Sequence, residues 1–213
     1  PLVTKVHGEA QRYAKKEHTI ILIGHHKHVE VQGTVGEAPE NIIVVGTVEE
    51  VSKLNVPDKK KIGYITQTTL SLDDTAEIII ALKKRFPEIK SPTKDDICYA
   101  TQNRQNAVKA LSKEVDLVLV VGAQNSSNSL RLLEVAETTG VKARRIESAA
   151  ELDPKWLRGV KYIGITAGAS APEDIVQGIV SGLKTMCPSN NIRTLELVKE
   201  DVTFALPTSL RSS

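Results

Sequence analysis

A histidine beside a carboxylate can bind an anion and pass a proton. His25, His26, His28 and Glu30 lie in one short stretch of this 213-residue chain. Small hydroxyl and amide side chains fill three further stretches: Gln67, Thr68 and Thr69; Asn125, Ser126, Ser127 and Asn128; and the turn at Ser170. Each follows an apolar run that reads as a buried strand. In parallel sheets ligands bind beyond the carboxyl ends of strands. Hydroxyls at helix starts, together with free backbone N–H groups, suit a phosphate or diphosphate. Any one such loop could serve only as a cap or turn; four at equivalent places favour a ligand. No Gly-x-x-x-x-Gly-Lys or Gly-x-Gly-x-x-Gly follows a strand, which disfavours a nucleotide. The histidines lack the second ligand group that a zinc site needs. His28 and Glu30 read as alternate residues of an extended segment, facing one side.

Cys98 follows Asp95 and Asp96 and precedes a helical pattern. A helix N-terminus favours a thiolate, whereas a lone cysteine is often a small buried apolar residue. Cys187, near a helix end, reads as having no role.

The elements that must position these residues are legible in order. Helical spacing covers about 2–16, 73–85, 100–114 and 130–139, the last closed by Gly140, and Pro172 opens a helix running to about Met186. Strands are expected at 19–24, 42–45, 61–66, 116–122, 142–146 and 161–166, with short helices at 47–54 and around Trp156, and a further strand at Val202–Leu206. The order of elements repeats. Gly24 and Gly122 each end a first strand; Thr66 and Thr166 each end a third. The expected fold is α/β: two similar lobes, each a small mostly parallel sheet with flanking helices, residues 1–93 and 94–187, then a tail over 188–213. In the 98-residue register the counterpart of Cys98 falls directly before Pro1.

The formal net charge is +2, with both signs interspersed, which offers no footprint for nucleic acid. Two cysteines cannot build a disulfide framework, so a reducing compartment is expected. The apolar runs are far short of the ~20 residues of a membrane span. With no initiator Met and a helix starting at once, the chain reads as cut from a longer protein.

Five motifs, in order, resemble the hydroxymethylbutenyl diphosphate reductase family of the non-mevalonate isoprenoid pathway. They are Gly24-His25-His26-Lys27-His28-Val29-Glu30-Val31-Gln32-Gly33-Thr34, Thr66-Gln67-Thr68-Thr69-Leu70-Ser71, Asp95-Asp96-Ile97-Cys98-Tyr99-Ala100-Thr101, Asn125-Ser126-Ser127-Asn128-Ser129 and Thr166-Ala167-Gly168-Ala169-Ser170-Ala171-Pro172. The resemblance implies a pseudo-threefold protein of which these are two lobes, around a 4Fe-4S cluster bound by one Cys per lobe. It implies Cys98 as a cluster ligand and Glu30 as the proton donor to the leaving hydroxyl. His28, Ser126, Ser127, Asn128 and Ser170 would form the diphosphate pocket, with Thr69, Gln67 and Thr68 near the substrate hydroxyl. It further implies an allylic diphosphate substrate and an electron donor such as ferredoxin or flavodoxin, in the bacterial cytoplasm or the plastid stroma. Two departures stand out. Val29 replaces the usual Pro, which is expected to loosen its loop, and the family's first lobe is missing, so this chain alone is expected to be inactive. Two other readings are a non-catalytic two-lobe module that binds a small phosphate and, more weakly, a sugar-transfer enzyme.

Overall fold

Strand β1 (Thr19–Ile23) is a run of Ile and Leu with every residue from Ile20 to Ile23 fully buried. Burial on both faces is what a central parallel strand requires. It is flanked by β2 (Ile42–Val45) and β3 (Ile62–Thr66), both parallel to it, giving the order β2-β1-β3. A second sheet has the same order, β5-β4-β6, from β4 (Leu117–Val121), β5 (Lys142–Ile146) and β6 (Ile163–Ala167). This computed structural model describes residues 2–188 and 191–198. The strand expected at 202–206 lies outside them.

Helices cover both sheets. Around the first are α1 (Leu2–Ala14), α2 (Val29–Gly36), α3 (Val48–Lys53) and α4 (Leu72–Arg85). Around the second are α5 (Tyr99–Leu111), α6 (Ser127–Thr138) and α7 (Glu173–Met186). Each sheet has an apolar cluster on either face. Helix α6 ends at a left-handed Gly140, the usual residue for that conformation. The acidic helix expected near Trp156 is two 3-10 turns, Ala149–Glu151 and Pro154–Leu157.

The duplication is confirmed in three dimensions, with a change of register. β1 starts at Thr19 and β4 at Leu117, 98 positions on. β3 starts at Ile62 and β6 at Ile163, 101 positions on. The first helices keep the earlier register: Tyr13 packs on Gly63, and Leu111, 98 positions on, packs on Gly164. The drift arises between the first and second strands, where α2 has 8 residues and α6 has 12. The counterpart of Thr66 is therefore Ala167 rather than Thr166, since Thr66 pairs with Ile23 and Ala167 with Val121.

One expectation is overturned. The stretch from Val29 is helix α2, so His28 and Glu30 are not alternate residues of an extended strand. His28 is the N-cap, with extended backbone, and its Nδ1 accepts the Glu30 N–H at 3.3 Å. Val29 takes the first helical position, where Pro is also well tolerated. The helix forms without the proline, held by the His28 cap and by the Thr34 hydroxyl donating to the Glu30 carbonyl.

Candidate functional site

The carboxyl ends of the two sheets meet at a cleft of about 360 Å³ whose walls include His25, Lys27, His28, Ser126, Ser127 and Arg131. Both lobes contribute. Gly24 and Gly122 end the central strands because the next helix lies almost on them. A Cβ at Gly122 would sit 2.0 Å from Ser129 Oγ, and one at Gly24 would sit 2.6 Å from Val31 Cγ2. That close approach places the starts of α2 and α6 over the ends of β1 and β4.

At the start of α2, the half-buried Glu30 projects onto the loop after β3. Thr68 N–H donates to its Oε1 at 2.8 Å, and the Thr68 hydroxyl donates to its Oε2 at 3.0 Å. The Thr68 carbonyl accepts the Cys98 N–H at 3.0 Å. One residue thus ties the carboxylate to the thiol-bearing segment. Gln67 bridges its own loop: Oε1 accepts the His25 N–H at 3.1 Å, and Nε2 donates to Thr69 Oγ at 3.0 Å. Thr69 Oγ meets Ser127 Oγ across the two lobes at 2.9 Å.

At the start of α6, Ser126 is the N-cap and accepts both the N–H and the hydroxyl of Ser129. Its own hydroxyl proton is left for a ligand. Asn128 is buried, 8 % exposed, yet neither side-chain amide atom has a hydrogen-bond partner. An unpaired buried amide is costly and marks a place where a ligand or water belongs. His28 uses Nδ1 as an acceptor, so its neutral ring carries the proton on Nε2 as a donor. These donors suit an anionic oxygen.

The register relates these groups in pairs. Glu30 corresponds to Asn128 and His28 to Ser126, 98 positions apart; Thr68 corresponds to Ala169 and Thr69 to Ser170, 101 apart. Ser170 is exposed in the turn before α7, without a hydrogen bond to the other candidate residues. The remaining candidates, Glu30, His28, Gln67, Thr68, Thr69, Ser126, Ser127, Asn128 and Cys98, lie on adjoining loops and helix starts.

Cys98 is the N-cap of α5, partly buried, with no side-chain capping bond. The segment before it is tied down by charge. Asp96 Oδ2 accepts the Thr66 N–H at 2.9 Å, and Lys5 Nζ lies 2.5 Å from Oδ1. Lys5 also reaches Glu9, which accepts the Thr93 hydroxyl at 2.7 Å. Burial pushes the Asp96 carboxyl above its ordinary range, with the Lys5 bond pulling against it.

Sequence reasoning missed Arg131 and the Lys5–Asp96 pair. Arg131 lies one turn after Ser127 on the same face of α6, a spacing that would have found it. Its guanidinium bridges the lobes, to His25 Nε2 at 2.9 Å, Asp74 at 3.4 Å and Glu134 at 2.6 Å. Burial, then the Arg131 charge, lowers the His25 pKa. His26 faces away from this set, paired with Glu50 at 3.0 Å.

Among the described residues no three His, Cys, Asp or Glu side chains cluster to hold a metal ion. Cys98 stands beside the Thr68 loop through its backbone N–H, and Cys187 caps the far end of α7. A 4Fe-4S cluster is held by several thiolates, so these residues alone do not make a complete cluster site.

A family model described as LytB protein matches residues 1–184. A 4-hydroxy-3-methylbut-2-enyl diphosphate reductase of Rhodopseudomonas palustris is 49% identical over 100% of this chain and 69% of its own length. The reductase of that name from Azoarcus is 50% identical over 100% and 68%. The solved structure of the E-1-hydroxy-2-methyl-but-2-enyl-4-diphosphate reductase from Plasmodium falciparum superposes with a TM-score of 0.93 at 40% identity, covering 98% of this chain and 66% of that one. The chain thus spans about two thirds of the length of the relatives it matches.

Proposed function

Because the chain belongs to the LytB family, we propose that it forms two lobes, about residues 1–93 and 94–187, of a 4-hydroxy-3-methylbut-2-enyl diphosphate reductase, an oxidoreductase of isoprenoid biosynthesis. The net reaction breaks the allylic C–O bond. Two electrons and two protons enter; one proton leaves with the hydroxyl as water, and the other ends on carbon, giving isopentenyl or dimethylallyl diphosphate. The electrons come from a small redox protein of the ferredoxin or flavodoxin type.

Glu30 supplies the proton to the leaving hydroxyl. Its two bonds from Thr68 fix its direction, so the carboxyl needs no reorganisation as the bond breaks. Thr69 and Gln67 line the hydroxyl region. His28, Ser126, Ser127, Asn128 and Ser170 take the diphosphate oxygens, and the orphaned Asn128 amide gains its partners only then. Cys98 is one ligand of a 4Fe-4S cluster whose other thiolates lie outside the described residues. The lobes alone are therefore inactive. The reductase reading places the protein in the bacterial cytoplasm or the plastid stroma; no helix among the described residues is long and apolar enough to cross a membrane.

The observation that carries this reading is Thr68, which holds the Glu30 carboxylate with its N–H and hydroxyl and the Cys98 N–H with its carbonyl. Proton source and thiol are thereby registered through one residue. The test is anaerobic reconstitution of the intact protein, followed by visible and electron paramagnetic spectra and turnover of the diphosphate. Cys98→Ser is expected to change the cluster spectrum and abolish turnover. An unaltered cluster in Cys98→Ser, or a stable cluster on these two lobes alone, would falsify the assignment.

A further inference from the structure

We propose that Gln105 is a positioning residue for the reduction, clamping the Thr69 loop to the helix that begins at Cys98. Gln105 is 0 % exposed, in the second turn of α5. A fully buried amide must satisfy both its donor and its acceptor. It does so on the backbone of the other lobe: Nε2 donates to the Leu70 carbonyl at 2.7 Å, and Oε1 accepts the Leu72 N–H at 3.0 Å. Leu72 is the first residue of α4, so this N–H would otherwise have no acceptor within its helix.

The same helix holds the loop on its other side, because the Cys98 N–H donates to the Thr68 carbonyl. The carbonyls before and after Thr69 are therefore both gripped by α5, one at its N-cap and one from a side chain. Lys109, one turn beyond Gln105, extends the seam to Asp73 at 2.6 Å. Arg104, the neighbour of Gln105, donates to the Ala167 carbonyl at 2.8 Å, just before the turn that carries Ser170. Helix α5 thus sets the thiol, the Thr69 hydroxyl and the Ser170 turn in one rigid frame. A misplacement of reacting groups by an ångström costs a large factor in rate. The role of Gln105 in catalysis rests on the reductase reading; the clamp itself does not.

The test uses the intact, cluster-loaded protein with Gln105→Met, which keeps side-chain length and removes both bonds. The control is Val108→Ala, a fully buried residue on the same helix. Hydrogen exchange of the 69–72 amides is compared at equal distance below each melting temperature. Gln105→Met is expected to exchange there about tenfold faster than the control, with kcat lowered about tenfold and KM within about twofold. Equal exchange in the two variants overturns the clamp. Faster exchange with wild-type kcat overturns the positioning role. If Gln105→Met does not fold, Gln105→Leu, which also removes both bonds, takes its place under the same criteria. A wild-type protein that turns over no diphosphate overturns the reductase reading, and this role with it, even where exchange still shows the clamp.

Discussion

Residues 30 and 128 occupy the same place in two copies of one unit, two residues past a helix cap at the end of a central strand. In the first lobe the place holds Glu30, with both oxygens bonded by Thr68. In the second it holds Asn128, buried with neither amide atom partnered. The loop opposite explains much of the difference. Thr68 offers a hydroxyl, and its counterpart Ala169 has none. The first lobe therefore presents a fixed acid and the second an open amide. On the function proposed above, a duplicated unit has divided into a half that moves protons and a half that waits for an anion.

Kinetics of the intact enzyme would break that division most directly. Glu30→Gln is expected to lower kcat by about 10²–10⁴-fold with KM little changed. Asn128→Ala is expected to do the reverse, raising KM about tenfold at nearly constant kcat. Similar losses of kcat in both variants would show that the lobes share one role.

A second contrast is electrostatic. Lys5 and Glu9 anchor the first lobe to Asp96, whose side chain is 0% exposed, whereas their counterparts 98 positions on are Asn103 and Ala107. Lys5→Met leaves a buried carboxylate without its cation and is expected to cost about 3–5 kcal/mol in urea unfolding. A loss under about 1 kcal/mol would mean that Asp96 is neutral or solvated in the native state.

The two strand-end glycines give a finer comparison. Gly122→Ala and Gly24→Ala each force a helix off its strand, at about 1–3 kcal/mol. The loss should be greater at Gly122, where the nearest atom is 2.0 Å away rather than 2.6 Å. Equal melting temperatures for the two variants would remove this asymmetry.

The smallest effect concerns pH at the seam between lobes. His25 faces Arg131, Glu134, His28 and Asp74, and its folded pKa is below 6.5, first through burial and then through Arg131. The folded state therefore binds its proton less readily than the unfolded chain. Its contribution is full above 6.5 and is lost as pH falls through the lowered folded value. His25→Asn should flatten that acid slope in denaturation curves; an unchanged slope would assign it to other groups.

The central strands were legible because continuous Ile, Leu and Val runs followed by Gly leave few alternatives to buried parallel strands. Helix α2 was not. His25 to His28 read as loop, while Val29, Val31, Gly33 and Gly36 are weak helix formers. What makes it a helix is the local histidine cap together with the tertiary packing of Val31 on Gly24. The repeat was visible as an offset, but the three-residue drift was averaged away by matching Thr66 to Thr166. The candidate residues were identifiable by type and motif. Their roles came from the family resemblance alone; the unpartnered Asn128 amide leaves no trace in residue spacing. Gln105 was invisible for the same reason: a glutamine in mid-helix is ordinarily a solvated residue.

The charged tether ahead of Cys98 also bears on the order of assembly. Lys5 and Asp96 are 91 positions apart, and Glu9 and Thr93 are 84 apart. Contacts of such span demand loop-closure entropy before they return any stabilisation, so they form late. The thiol segment is then expected to lock only after the first sheet exists to receive it. Pulse-labelling exchange during refolding should find the Thr66 amide, which bonds Asp96, protected after those of β1. Simultaneous protection would place the tether in the folding nucleus instead. A late lock means that a nascent chain keeps Cys98 accessible until the scaffold around it is built.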